Sequence, residues 1–253
     1  MPYPAHVSDT AYCYDGSYAG FLCCIFESYT RREIPSAVLG PAEGQITLFG
    51  TETIATDPTH ARRVANGLTR LGPMVRERVM TGFLSTEEEK DLILLRFARR
   101  CFDEGPRAVQ MLGDPDVHAA FVLERNVNNE VCRFIEFIRF EEKDGMLGSV
   151  IHPKNNVLPL LRGHFCGRLP DEDFLIFDAA HGTALLRQSG HVRYLAMEHY
   201  EPARDADELN WQALWKRFFH ALTIEERRNA KAQMNHAPKR FWGGMVEMRE
   251  PYI

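Results

Sequence analysis

The sequence predicts an α+β fold, with an antiparallel meander in the C-terminal half packed with helices from both ends of the chain. Three observations predict it. Apolar spacing is helical up to about Cys132, alternates between Phe134 and Met197, and turns helical again near Ala206. Tight turns separate the alternating runs. No G-x-G-x-x-G and no G-x-x-x-x-G-K-[ST] occurs, so neither a Rossmann-type parallel sheet nor a dinucleotide or P-loop site is expected. With 253 residues, 45% of them hydrophobic and 26% charged, the chain can bury a sizeable core. The expected organisation is a mostly helical part, 1–132, with a short first strand, followed by 133–253 with the sheet, the last helices and a basic tail. One integrated domain is the alternative.

The elements follow in order. Thr10–Tyr14 alternates and reads as a strand, and Asp15-Gly16 turns the chain. Ser17 caps a helix from Tyr18 to Arg31 with Phe21, Leu22, Ile25, Phe26 and Tyr29 on one stripe. Ile34 to Thr56 is rich in Pro, Gly and Thr, with a further strand at Ile46–Phe49. Asp57-Pro58 starts a helix, and Gly72-Pro73 ends it and starts another. Ser85-Thr86-Glu87-Glu88 reads as a capping box opening a helix to Phe102, and Asp114-Pro115 opens one to Cys132. Phe134–Glu141 and Met146–His152 form a hairpin across Lys143-Asp144-Gly145. A helix over Asn155–Phe165 precedes strands at Asp173–Asp178, Thr183–Gln188 and Val192–Met197. Helices over Ala206–Leu222 and Ile224–Asn235 close the chain.

Several classes are disfavoured. No run of about 18 apolar residues appears and the N-terminus lacks a basic-then-apolar leader, so a soluble cytoplasmic protein is expected. The six cysteines form no C-x-x-C pair and no C-x-x-x-C-x-x-C run, which predicts free thiols and no radical S-adenosylmethionine cluster in this chain. Cys23 and Cys24, adjacent in a helix, are expected on different faces. The histidines show neither H-x-x-x-H nor H-E-x-x-H, and no G-x-S-x-G is present. Neither metal nor cofactor is expected.

The net charge of −5 hides a strong asymmetry. Trp211 to Trp242 holds seven cations, from Lys216 to Arg240, against Glu225 and Glu226, a local +5 that leaves −10 for the remainder. Local charge sets the potential a polyanion meets. Arg227, Lys231, Lys239 and Arg240 suit phosphates, while Asn229 and Gln233 can donate and accept at base edges or sugars. Trp211, Trp215, Phe218, Phe219, Phe241 and Trp242 offer stacking surfaces for unpaired bases. Arg227, Lys231 and Asn235, spaced i, i+4, i+8, are expected on one helix face. An amphipathic helix with solvated cations and core aromatics explains the same residues. A second constellation is His164, Arg168 and Asp178, with Asp15 as a fourth member: a histidine for proton transfer, a carboxylate to orient it and an arginine for phosphate. An Arg–Asp lock between helix and strand is the structural alternative.

Tyr14-Asp-Gly-Ser-Tyr-Ala-Gly-Phe-Leu22 resembles the opening signature Y-D-G-[ST]-[FY]-x-G-F-L of a bacterial family assigned to DNA metabolism or repair. Phe137–Phe140, Asn156–Leu160, His164-Phe165 and Arg168–Pro170 resemble its middle. Arg227, Asn229, Gln233 and Pro238 to Trp242 are similar to its closing R-x-N-x-x-x-Q…M-P-K-R-[YF]-W pattern, with Ala237 in place of Met. Three residues after Asp178, His181 stands where the family usually has Arg. Members are typically encoded beside a radical S-adenosylmethionine protein linked to DNA repair, and some are fused to a uracil-DNA glycosylase-like domain. The resemblance implies a DNA-binding component of a repair or modification system working with such partners. The alternative is an enzyme acting directly on DNA, glycosylase-like or phosphodiesterase-like, through His164 and Asp178. A protein-binding scaffold is the third class.

Overall fold

A computed structural model describes residues 6–41, 50–201, 206–227 and 229–248. The chain forms two compact units, Met1–Asn128 and Asn129–Ile253.

The first unit opens with β1 (His6–Val7) and β2 (Thr10–Cys13), then α1 (Tyr18–Thr30), β3 (Glu33–Ile34), β4 (Ala37–Leu39) and β5 (Gly50–Thr53). β2 pairs in parallel with both β4 and β5, and β1 with β3. This small parallel sheet was legible only at Thr10–Tyr14, because strands this short carry too little alternation to read. The helices α2 (Pro58–Leu71), α3 (Pro73–Phe83) and α4 (Lys90–Glu104) pack around α1, with Phe21, Ile25, Leu68, Leu94 and Leu95 fully buried. Ser17 accepts from the Gly20 N–H, and Asp57 from those of Thr59 and His60, as their cap positions require. The expected capping box is different: Ser85 accepts from Glu87 N–H, two residues on, and helix α4 starts only at Lys90. Cys23 and Cys24 are both buried, since α1 is covered on more than one side.

The opening motif has a local explanation. Gly16 sits at φ +78° in the turn, and the Asp15 carboxylate accepts from the Ser17 N–H and hydroxyl and from Thr56. A Cβ at Gly20 would lie 2.3 Å from the Asp15 oxygen and 2.8 Å from Thr56, so only glycine lets α1 approach that turn. The Tyr14 hydroxyl donates to buried Asp91 at 2.8 Å. The hydrogen bonds from Ser17 and Thr56 hold the Asp15 carboxyl below its ordinary value, and the N–H groups of His60 and Thr59 do the same for Asp57. Lowered carboxyl pKa values stabilise the fold above the unfolded value and lose that contribution as pH falls through the folded one. Thermal melts should therefore show stability declining as pH drops below about 3.8, and Asp15→Asn should flatten part of that decline.

Helix α5 (Pro115–Phe137) is followed in the second unit by β6 (Glu141–Lys143), β7 (Met146–Ile151), α6 (Leu158–Arg168), β8 (Asp173–Asp178), β9 (Thr183–Gln188) and β10 (His191–Ala196). The sheet order is β10-β9-β8-β7-β6, antiparallel except between β7 and β8. The α+β class and the largely antiparallel C-terminal sheet are as expected. Two details differ. Phe134–Phe137 is helical, because Val127, Val131, Phe134 and Ile138 continue a buried helical stripe that the same letters also allow as alternation. β7 and β8 run parallel, with Ile151 opposite Asp178, because α6 carries the chain back across the sheet between them. One sheet face buries Leu175, Phe177, Ala184 and Leu186. Phe140 bridges Phe165 of α6 and Phe174 of β8, with ring centroids 5.5 and 6.1 Å away.

The chain closes with α7 (Ala206–Leu222), a 3-10 turn at Glu225–Arg227, α8 (Ala230–His236) and a 3-10 turn at Lys239–Gly244. A continuous helix over Ile224–Asn235 is not formed. Asn229 is extended (φ −134°, ψ 93°) and caps α8 by accepting from the Ala232 N–H. Arg227 therefore precedes the helix that carries Lys231 and Asn235 and does not share their face. The strand expected at Ile46–Phe49 and the cation Arg228 lie outside the described residues. Among the described residues no helix is long and apolar enough to cross a membrane.

Candidate nucleic-acid interface

No residue of α7 is buried. Trp211, Leu214, Trp215, Phe218 and Leu222, at helical spacing, are exposed by 69, 52, 41, 55 and 65%. An ordinary surface helix hides such a stripe; here three aromatic rings face solvent. Trp215 and Phe218 lie 5.8 Å apart, and the Trp215 indole donates to Glu247. Arg217, on the same helix, is exposed, as are Arg227, Lys231 and Lys239 farther along. Gln233 is half-buried, its amide donating to the Met248 sulfur at 3.5 Å.

The closing motif divides into two kinds of residue. Phe241 is buried, its ring 5.1 Å from Phe134 and 5.9 Å from Phe137, so it belongs to the core. The Trp242 indole donates to the Ala237 carbonyl at 2.7 Å, and the Lys239 ammonium lies 5.8 Å from that ring. Arg240 stands 3.4 Å from the Glu130 carboxylate and 4.7 Å from the Phe241 ring. Glu130, buried at 2% exposure, also accepts from the N–H groups of Lys154 and Asn155 and from the Asn155 amide. It ties α5, the turn preceding the Asn156–Leu160 motif and the closing motif together. Nothing in composition or spacing singled out Glu130; only its contacts reveal it.

Arg240 and Phe241 also border a pocket of about 370 Å³ over β7 and the end of β8. Its walls include Phe137, Phe177 and Tyr200, with Arg139, His152 and His199 as further polar groups. The Tyr200 ring packs directly against Gly148, so a Cβ there would push that side chain aside.

The second constellation is only partly assembled. Asp178 is fully buried at the end of β8 and accepts from the N–H groups of Ala180 and His181 and from the His181 ring at 2.6 Å. Its partner is thus His181, the residue at the position where the resembled family usually has Arg. His164 Nε2 is buried without a hydrogen-bond partner among the described residues, Arg168 is exposed, and Asp15 belongs to the first unit. Replacing Asp178 by alanine strands two turn N–H groups and should cost about 2 kcal/mol of unfolding free energy in denaturant titrations. Burial pushes the thiol of Cys101 up to about 12 and that of Cys24 higher, so neither is a ready nucleophile. Among the described residues no group of three His, Cys, Asp or Glu side chains could hold a metal ion.

The family model of DUF4130, a domain of unknown function, matches residues 88–247, well over half of the chain. The chain belongs to the DUF4130 family. The match takes in the second unit's sheet, α7 and the closing motif, while the opening motif at Tyr14–Leu22 lies outside it. No curated protein and no solved structure matches the chain.

Proposed function

We propose that this DUF4130 protein is the DNA-binding component of a DNA repair or DNA modification system, and that its C-terminal segment holds unpaired DNA. The observation that carries the reading is α7: Trp211, Trp215 and Phe218 exposed on one helix, in a segment of local charge +5. Exposed rings with neighbouring cations suit a single strand, whose bases offer faces to stack on and whose phosphates need neutralising. Arg217, Arg227, Lys231 and Lys239 are the phosphate-contacting cations, and Trp211 and Phe218 the stacking platforms. Arg240 acts mainly through Glu130, and Phe241 supports the segment from the core. The resemblance to DNA-repair proteins supports a radical S-adenosylmethionine protein or a uracil-DNA glycosylase-like protein as the partner that supplies chemistry. Arg217→Glu with Lys239→Glu should leave circular dichroism unchanged. It should lower the salt slope of log K for a single strand by at least about 1.4, two contacts at roughly 0.7 each. An unchanged slope in the folded variant removes this segment as the DNA surface.

A second reading is direct catalysis on DNA, favoured by one contact, the 2.6 Å pairing of His181 with buried Asp178. A carboxylate so placed fixes the imidazole tautomer and orients it for proton transfer. Incubating the purified chain with undamaged, uracil-containing and ultraviolet-irradiated DNA separates the readings. Product lost in a folded His181→Ala variant favours catalysis, whereas binding without product favours the binding component.

A further inference from the structure

The first unit has its own charge asymmetry. Residues 1–128 carry thirteen Lys and Arg against seventeen Asp and Glu, a net −4. Residues 58–76 hold four of those cations and no anion, +4, which leaves −8 for the rest of the unit. All four, Arg62, Arg63, Arg70 and Arg76, are exposed, and none forms an ion pair among the described residues. Ala61, Val64 and Leu68 turn the opposite face of α2 into the core, so Arg62, Arg63, Asn66 and Arg70 form one outward stripe. Arg62 and Arg70 are about 12 Å apart along the axis, at 1.5 Å per residue.

Beside this stripe runs an open groove of about 560 Å³ between α1 and α2, lined by Phe26, Tyr29, Phe102, Arg63 and Arg70. The Phe26 ring stacks on His60 with centroids 3.9 Å apart and planes 13° from parallel, and the Arg63 guanidinium lies 5.8 Å from it. Tyr29 is 37% exposed, its hydroxyl held by Asp103 and the Arg99 carbonyl. Gly67 lets Phe102 come up to α2, because a Cβ there would lie 2.8 Å from that ring. An apolar, ring-lined groove edged by exposed arginines fits a ligand that joins flat aromatic groups to regularly spaced negative charge.

We propose that this groove is a second binding site for single-stranded DNA, with phosphates at Arg63 and Arg70 on its edge and a base packed among Phe26, Tyr29 and Phe102. The proposal rests on the reading that the protein binds DNA, but not on the C-terminal segment being the surface that does so. The test uses the full chain, a labelled oligo-dT and the same sugar–phosphate backbone lacking bases. Affinity is measured by anisotropy across a salt series, with folding checked by circular dichroism. Arg63→Ala with Arg70→Ala, or the neutral Gln replacements of the same pair should the alanines unfold, provides the variant. Either neutral pair should lower the salt slope by about 1.4, two single-strand contacts at roughly 0.7 each, and Arg63→Lys with Arg70→Lys should preserve it. The backbone lacking bases should bind wild type at least about five-fold more weakly, the equivalent of one stacking contact. A slope unchanged in the folded neutral pair at Arg63 and Arg70 but lowered in Arg217→Glu/Lys239→Glu overturns the groove and leaves the C-terminal reading standing. Equal binding of the two probes overturns the base seat. Absence of wild-type binding overturns both readings.

Discussion

Replacing Glu130 by alanine should lower the unfolding free energy by about 3 kcal/mol, because a buried carboxylate that accepts three hydrogen bonds is removed. The N–H groups of Lys154 and Asn155 and the Asn155 amide all point at it, at 2.7–2.9 Å. Glu130→Gln should recover only part of the loss, since one of the two oxygens becomes a donor facing donors. Arg240→Ala should cost less than about 1 kcal/mol, because that guanidinium is 53% exposed and its contact is long, at 3.4 Å. Urea titrations of the three variants check the ranking. A Glu130→Ala loss no larger than that of Arg240→Ala would mean that the carboxylate does not organise this junction.

Truncating Phe241 and truncating the rings of α7 should have opposite consequences. Phe241 is 5% exposed and packed edge-on against Phe134, so Phe241→Ala should cost about 3–5 kcal/mol of stability, a large part of a domain's total. Trp211→Ala and Phe218→Ala remove rings that are 69 and 55% exposed and should leave the melting temperature nearly unchanged. If those rings stack on bases, each should weaken single-strand binding by about 1–3 kcal/mol, roughly five-fold to more than a hundred-fold. Calorimetric melts beside DNA titrations give both readouts. If DNA affinity survives the double α7 variant, the apolar stripe instead serves contacts with protein.

Sequence patterning located the long helices because their signals are local and redundant. At α2, Asp57, Pro58 and Gly72 mark both ends while Val64 and Leu68 mark the buried face. The same applies to the strands at Asp173–Asp178 and Thr183–Gln188, whose boundaries match. Phe134–Phe140 defeated the reading because its apolar residues satisfy two periods at once, and only the continued packing of α5 selects the helix. The site was legible in kind and less so in detail. Charge segregation at the C-terminus is visible in the letters, but whether Arg240 reaches solvent or Glu130 is not. The partner of Asp178 is three residues away in sequence, yet naming His181 required the tight turn between β8 and β9.

By itself, the sequence determined the α+β class, the helix caps at Ser17 and Asp57, the positive C-terminal segment and the glycine-dependent turn at Asp15-Gly16, since propensity, period and charge act over a few residues. Only the tertiary structure decided which aromatics are core and which face solvent, the parallel pairing of β7 with β8, the gathering of the Lys154-Asn155 turn and the closing motif on Glu130 and the arginine-edged groove of α2. Those outcomes depend on burial and on contacts between residues far apart in the chain, where one side chain's environment is set by neighbours that no local pattern records.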